Sequence, residues 1–125
     1  STNIAIRRFL NTVLNQGSDI TYADSATLGA SFTINTTGMY SVSYHDNPST
    51  VSDIGLSLNS SQLTTAIASI AVADRLCTST CSGVGHTENV SVTHYFTAGD
   101  VIRPHTAGSA VATAASVGLT ISRVG

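Results

Sequence analysis

Four histidines are the side chains of this sequence best suited to acid–base or metal chemistry, and two of them flank one short polar stretch. The stretch THYFTAGDVIRPH, residues 93–105, carries His94 and His105 with Asp100 and Arg103 between them. An imidazole beside a carboxylate could act as a general base, and a group of such side chains could bind a transition metal. Which of these side chains meet depends on the elements that carry them.

The period of the stretch predicts two strands joined by a tight turn. His94 shares a strand face with Phe96, because side chains two residues apart point to the same side. Gly99 supplies the turn, and the carboxylate of Asp100 is expected to cap it. His105 follows at the end of the second strand. The pattern therefore separates the polar groups, and the stretch is interpreted as structural.

A second acid–base candidate is the pair His45-Asp46, which stands where a strand enters a loop. The pair could orient and activate one of the many serines. No G-x-S-x-G motif or oxyanion motif accompanies it, however. We therefore predict that the protein is not an enzyme.

Cys77 and Cys81 form a C-x-x-x-C pattern. No second cysteine pair completes a four-ligand zinc site, so a metal is not expected there. A local disulfide and two free thiols both remain open, and a disulfide would indicate an oxidising compartment. No cofactor is predicted. Calcium bound through Asp100, Asp46 or Asp53 is an alternative, although the sequence lacks the D-x-D-x-D run of a calcium loop.

Composition limits the class of protein. A chain of 125 residues suffices for a single domain, residues 1–125, with one core. Hydrophobic content of 42% with 10% charged residues is too apolar for disorder. The five basic residues are scattered arginines, which argues against nucleic-acid binding. No long apolar run predicts membrane insertion.

Short alternating runs separated by Gly, Asn, Asp, Ser and Pro predict eight to ten antiparallel strands. Residues 4–14 and 64–76 are ambiguous between helix and strand and are assigned here as strands. Residues 77–86 are expected to form a loop, and residues 106–116 a loop or weak edge strand. With no segment assigned as a helix, the chain is predicted to be an all-β sandwich or jelly roll.

Three hairpins in order resemble those of the C1q/TNF-like jelly rolls. The stretch SFTINTTGMYSVSYH resembles a family hairpin through Phe32, Ile34, Gly38, Tyr40, Val42 and Tyr44. GLSLNSSQL resembles the next, with Ser60 where Gly is commoner, and SVTHYFTAGDVIRPH resembles a third through Tyr95, Phe96, Gly99, Asp100 and Ile102. GLTISRVG stands where the family's last central strand ends. The similarity covers roughly residues 20–125.

The resemblance implies a ten-stranded, two-sheet antiparallel jelly-roll sandwich that assembles as a homotrimer, with one sheet of each protomer around a three-fold axis. The residues expected at that interface are His94, Tyr95, Leu119 and Ile121. Three copies of His94 could then form an axial ring that binds a metal or titrates near pH 6.

Compact domains of this kind occur in bacterial surface proteins and phage tail fibres, which suits the Ser/Thr/Asn-rich, Lys-free sequence. We expect a non-enzymatic trimeric head domain, outside a cell or on a virion, that binds a cell-surface glycan or protein receptor. The alternative is a self-assembling subunit of a fibre, spore coat or capsid. The expected ligand surface is the loops at residues 43–53, 77–86 and 105–110, with the candidate residues His45, Asp46, Asn47, Asp53, His86 and His105.

Overall fold

The computed structural model describes residues 3–83 and 85–125, which form eight strands. The strands are β1 Ile20–Ser25, β2 Gly29–Ile34, β3 Gly38–Asp46, β4 Ser52–Leu58, β5 Arg75–Cys81, β6 Glu88–Phe96, β7 Val101–Thr106 and β8 Gly118–Arg123. The helical turns are the 3₁₀ segments Ile67–Ser69, Val72–Asp74 and Ala114–Ser116. Within the described ranges, no helix is long and apolar enough to cross a membrane.

The strands form two antiparallel sheets. The order is β1-β2-β7-β4-β5 in the five-stranded sheet and β6-β3-β8 in the three-stranded sheet. From β2 onward the chain passes between the sheets at every step except β4 to β5, which is the double Greek-key course of a jelly roll. The predicted two-sheet jelly-roll sandwich is therefore confirmed, with eight strands in the described residues where the resemblance implied ten.

Strand β3 shows how the alternating sequence builds the core. Tyr40, Val42 and Tyr44 point inward and are fully buried. On β6 and β8 the residues paired with them face the same interior. From the other sheet, Phe32, Ile34, Ile54, Leu56 and Ile102 complete the cluster. Each fully buried aliphatic side chain of this kind contributes about 1.5–3 kcal/mol to folding.

Residues 5–7 fill a gap in the five-stranded sheet. Only two registered pairs join β2 to β7, after which the strands separate. The Arg7 N–H donates to the carbonyl of Pro104 at 3.0 Å, and the Arg7 carbonyl accepts from the Ala30 N–H at 2.8 Å. A Cβ at Gly29 would lie 2.7 Å from the Ile6 side chain, so the neighbouring strand must carry glycine there. The N-terminal segment is thus a wedge between two strands.

The strand expected over residues 4–14 is wrong beyond this wedge. Residue 6 makes an isolated bridge to β7, and residues 7–16 belong to no strand. Phe9 packs on the rings of Phe32 and Tyr44, with centroids at 6.3 and 6.4 Å. After Phe9 the apolar side chains of Leu10 and Val13 turn to solvent, 73% and 98% exposed. Residues 5–9 are ordered by contacts with distant strands, which local periodicity cannot show.

The strand expected over residues 64–76 is also wrong in its first part. Two 3₁₀ turns occupy residues 67–74, and β5 begins only at Arg75. Ile67 and Ile70 are buried, a spacing of three that suits a 3₁₀ turn and not a strand. Segment 59–74 folds across the outer face of the five-stranded sheet. A Cβ at Gly55 would lie 2.9 Å from the Ile67 side chain, so glycine permits this close contact.

A buried ion pair ties the wedge to the three-stranded sheet. Arg7 Nε lies 2.5 Å from Asp46 Oδ2, and a second guanidinium nitrogen donates to Oδ1 at 3.1 Å. Arg7 also donates to the carbonyl of Ser109 at 2.5 Å, and the Tyr44 hydroxyl donates to Asp46. Burial alone would lower the pKa of Arg7, but the hydrogen bond and charge of Asp46 raise it. Burial and the Asp46 charge raise the pKa of Tyr44 well above 10.

Two substitutions test whether this tie holds the sheets together. Asp46→Ala should lower the free energy of unfolding by about 3–5 kcal/mol, because it leaves the Arg7 charge buried and unpaired. Asp24→Ala removes the partner of Arg8 in a partly exposed pair and should cost less than about 1 kcal/mol. Equilibrium urea denaturation measures both. Equal losses from the two substitutions would show that the buried pair contributes no more to the free energy of unfolding than the partly exposed pair does.

Candidate functional site

The three segments expected to bind a ligand meet at one end of the sandwich, but the loop expected over residues 77–86 is wrong in its first half, since residues 77–81 belong to β5. Ser49 N–H donates to the carbonyl of Ala110 at 2.8 Å, and Ala112 N–H donates to the carbonyl of Asn47 at 2.7 Å. The Asn47 side chain donates to the carbonyl of His86 at 2.6 Å. Val84, within the second loop, lies outside the described residues. The end of the sandwich is therefore one connected surface of loops.

Two of the predicted ligand residues hold these loops and do not face solvent. Asp46 is completely buried in its ion pair, and Asn47 is 3% exposed. Asn47 Oδ1 is buried without a hydrogen-bond partner among the described residues, while its amide nitrogen binds the second loop. Both residues position the end loops, and their burial leaves them unable to contact another macromolecule.

His105 was also predicted in the ligand surface, but it is fully buried beneath segment 59–74. Its Nε2 lies 2.6 Å from the carbonyl of Thr65 and must carry the proton, so Nδ1 accepts from the hydroxyl of Ser57 at 3.0 Å. Burial lowers the pKa of His105, and the nearby Arg103 charge lowers it further. The neutral imidazole therefore fastens the covering segment to the sheet.

The other three candidates are accessible but do not converge. His45 is half-buried on the outer face of the three-stranded sheet, and a Cβ on Gly118 would lie 2.8 Å from its ring. Asp53 accepts from the Thr80 hydroxyl at 2.6 Å on the outer face of the other sheet. His86 is exposed in the end loops. The pair His45-Asp46 points to opposite faces of β3, so the base-and-orienter arrangement does not form.

The residues predicted for the trimer interface divide between two faces. His94, Leu119 and Ile121 lie on the inner face of the three-stranded sheet, in register with Tyr40, Tyr44 and Val42. The ring of His94 packs on that of Phe96 with centroids 4.7 Å apart. His94 therefore faces its own sandwich, which removes the geometry for an axial histidine ring. Only Tyr95 points outward, with 61% of its surface exposed.

The outer face of the three-stranded sheet, hereafter the open face, is a feature that sequence reasoning missed. Tyr95 pairs with Met39, and the Val124 N–H donates to the Met39 carbonyl at 2.8 Å. These three side chains are 38–61% exposed. Beyond them small hydroxyl side chains pair across the strands: Ser41 with Thr93 and Ser122, and Ser43 with Ser91 and Thr120. The strand alternation that places His94 inward also places its neighbour Tyr95, and Met39 opposite it, on this outer face.

The cysteine and turn expectations are both resolved. Cys77 and Cys81 lie four residues apart on β5 and are free thiols, with no bridge between them. At about 3.3 Å per residue their Cα atoms are about 13 Å apart, too far for a disulfide. The capping role of Asp100 is confirmed, since it accepts the Thr97 N–H at 2.9 Å and the Asn59 amide at 2.9 Å. Within residues 3–83 and 85–125, no three metal-ligating side chains cluster.

Comparison with known proteins adds a likeness in fold. No protein-family model matches the sequence, and no curated protein is significantly similar to it. A match among solved structures is the crystal structure of rabbit GITRL, a TNF-like jelly roll. It shares 13% identity with a TM-score of 0.48, and the alignment covers 82% of this chain and 76% of that one. At this distance no residue role transfers, and the jelly-roll assignment rests on strand order.

The buried imidazole predicts a pH dependence of stability. Because the pKa of His105 is lower in the folded protein than in the unfolded chain, the unfolded chain binds the extra proton. The contribution of His105 to stability is therefore complete above about pH 6.5, the ordinary His pKa, and is lost as the pH falls from there to the lower folded-state value. Thermal unfolding between pH 8 and 5 measures the loss.

Two variants distinguish the contribution of His105 to this pH dependence from that of the other histidines. His105→Gln should flatten the pH dependence, while His86→Gln, which changes an exposed histidine, should leave it unchanged. A wild-type melting temperature that stays constant down to pH 5 would contradict the assignment.

Proposed function

We propose that the chain is a non-enzymatic trimeric head domain of a phage tail fibre or bacterial surface protein, displayed outside a cell or on a virion. It binds a cell-surface glycan or protein receptor. The observation that carries the proposal is the contrast between the outer faces of the two sheets. Segment 59–74 lies over β4 and the neighbouring part of β7 on the five-stranded sheet, whereas the open face carries exposed Met39, Tyr95 and Val124.

The open face suits contact with other copies of the chain. Aromatic residues and methionine, the types of Tyr95 and Met39, are enriched where proteins associate. A face used by identical subunits buries the same residues in each of them. The proposed interface therefore contains Tyr95, as expected from the sequence, together with Met39 and Val124 in place of His94, Leu119 and Ile121.

The end loops suit recognition of a receptor. They present hydroxyl groups of Ser49, Thr50 and Ser109, which contact one another at 3.1–3.4 Å, beside the exposed side chains of Val51 and His86. Loops held by a rigid sandwich are common positions for binding residues. Their neutral, polar character is compatible with a glycan or with a protein surface.

Assembly is tested by sedimentation equilibrium. The wild type should have three times the 12.8 kDa mass of one chain, and the double variant Met39→Ser/Tyr95→Ser should sediment as a folded monomer. Val72→Ser is the control, because Val72 is 76% exposed at another site and its loss should leave the trimer intact. A monomeric wild type would refute the trimer. Open-ended growth with concentration would favour the alternative, a self-assembling subunit of a fibre, spore coat or capsid.

Receptor binding is tested on a glycan array and on immobilised cell-surface proteins. Val51→Glu places a charge among the end loops, at a residue 66% exposed, and should weaken binding at least tenfold while the trimer remains. Undiminished binding would move the receptor site away from the loops. Turnover of a broad panel of esters and glycosides would contradict the non-enzymatic assignment.

A further inference from the structure

Arg103 differs from the other arginines in having no acceptor for its guanidinium within residues 3–83 and 85–125. The other four all have one: Arg7 binds Asp46, Arg8 binds Asp24, Arg75 donates to the carbonyl of Ile70, and Arg123 lies 3.9 Å from Asp19. Unpaired arginine is ordinary in full solvent. Arg103 is half-buried, however, and desolvation lowers its pKa.

The position of Arg103 in the sheet explains this environment. It lies on β7, opposite Ser57 of β4, on the outer face of the five-stranded sheet. The charge of Arg103 is felt by the buried His105 on the same strand face. A partly desolvated charge without a partner is unfavourable for stability. The donors of this guanidinium are therefore available to a ligand.

Two unoccupied hydroxyl groups share this face. Thr33 of β2 pairs with Val101, two residues before Arg103, and Ser31 lies one strand repeat further along β2. Both residues are half-buried, and neither hydroxyl hydrogen bonds within the described part of the chain. The Ser57 hydroxyl, by contrast, is hydrogen-bonded to Nδ1 of His105. The face therefore offers one guanidinium and two free hydroxyls.

We propose that Arg103, Ser31 and Thr33 form a binding site for the carboxylate of an acidic saccharide. The planar guanidinium matches a carboxylate with two parallel hydrogen bonds. The hydroxyl groups of Ser31 and Thr33 can each donate a hydrogen bond to a sugar hydroxyl and accept one from it. The apolar side chain of Val101 lies beside them on the same face and can pack on the ring carbons.

The site takes an acidic glycan at a second position, separate from the receptor site proposed in the end loops, and it rests on the proposed function only in taking the ligand to be a glycan. It lies on strands of the five-stranded sheet, whereas the proposed trimer face and the end loops are elsewhere. Binding at Arg103 should therefore persist in the monomeric Met39→Ser/Tyr95→Ser variant and in Val51→Glu. Its loss in either folded variant would contradict this site, whereas loss of the trimer or of end-loop binding bears only on the proposed function.

The test is an NMR titration of the ¹⁵N-labelled protein with glucuronic acid and N-acetylneuraminic acid. Saturable shifts are expected at the amides of Ser31, Thr33 and Arg103. Glucose and the methyl ester of glucuronic acid should produce no such shifts, because they lack the carboxylate. Arg103→Gln should weaken binding at least tenfold, and Arg103→Lys should recover part of it. Arg123→Gln, at an exposed arginine, is the matched control and should bind as the wild type does.

Specific outcomes would overturn the site. Equal shifts with acetate or inorganic phosphate would indicate a general anion contact. Tighter binding of glucose 6-sulfate would show that the site recognises a sulfate and not a carboxylate. Binding of an acidic peptide, without binding of either sugar acid, would exclude a saccharide ligand. Stability supplies a second readout. Arg103→Gln should raise the melting temperature by about 2–4 °C, since it removes an unpaired charge. A fall would assign the side chain to the fold.

Discussion

The ion pair between Arg7 and Asp46 is the interaction on which the arrangement of the two sheets depends. Arg7 belongs to the wedge between β2 and β7, and Asp46 ends the central strand of the opposite sheet. A buried pair of this kind gains little over an apolar contact, but losing one partner is expensive. Its effect is therefore to fix one geometry: the wedge seated, the sheets in register at this end, and the 105–110 loop drawn in through the carbonyl of Ser109.

The same organisation decides which outer surface is left for other molecules. The connection from β4 to β5 is long enough to cross its own sheet, and Ile67 and Ile70 bury themselves there with the imidazole of His105 beneath. Nothing comparable lies over the three-stranded sheet within residues 3–83 and 85–125. Met39 and Tyr95 on that sheet are only partly buried within the single chain, which is why the proposed assembly is placed there.

Local patterns in the sequence were sufficient where the determining contacts are local. The hairpin from Phe32 to Tyr44 follows strict alternation, and the Asp100 cap follows turn chemistry. Local patterns failed where contacts with residues distant in the sequence determine the structure. Residues 5–7 are ordered by the gap between β2 and β7. The polar residue Asp46 is buried because it pairs with Arg7, which lies 39 positions earlier in the chain. His94 was placed on the correct strand face, but the direction of that face requires the topology.

Arg7 and Arg103 show why burial has to be considered together with partners. Both guanidinium groups are withdrawn from water, but Asp46 raises the pKa of Arg7 while desolvation alone lowers that of Arg103. A charge that is desolvated and matched belongs to the fold. A charge that is desolvated and unmatched costs stability in the isolated chain, and such a cost is tolerated where binding recovers it. The strand face around Arg103, and not the histidines that first suggested chemistry, is where this chain departs most from what folding alone requires.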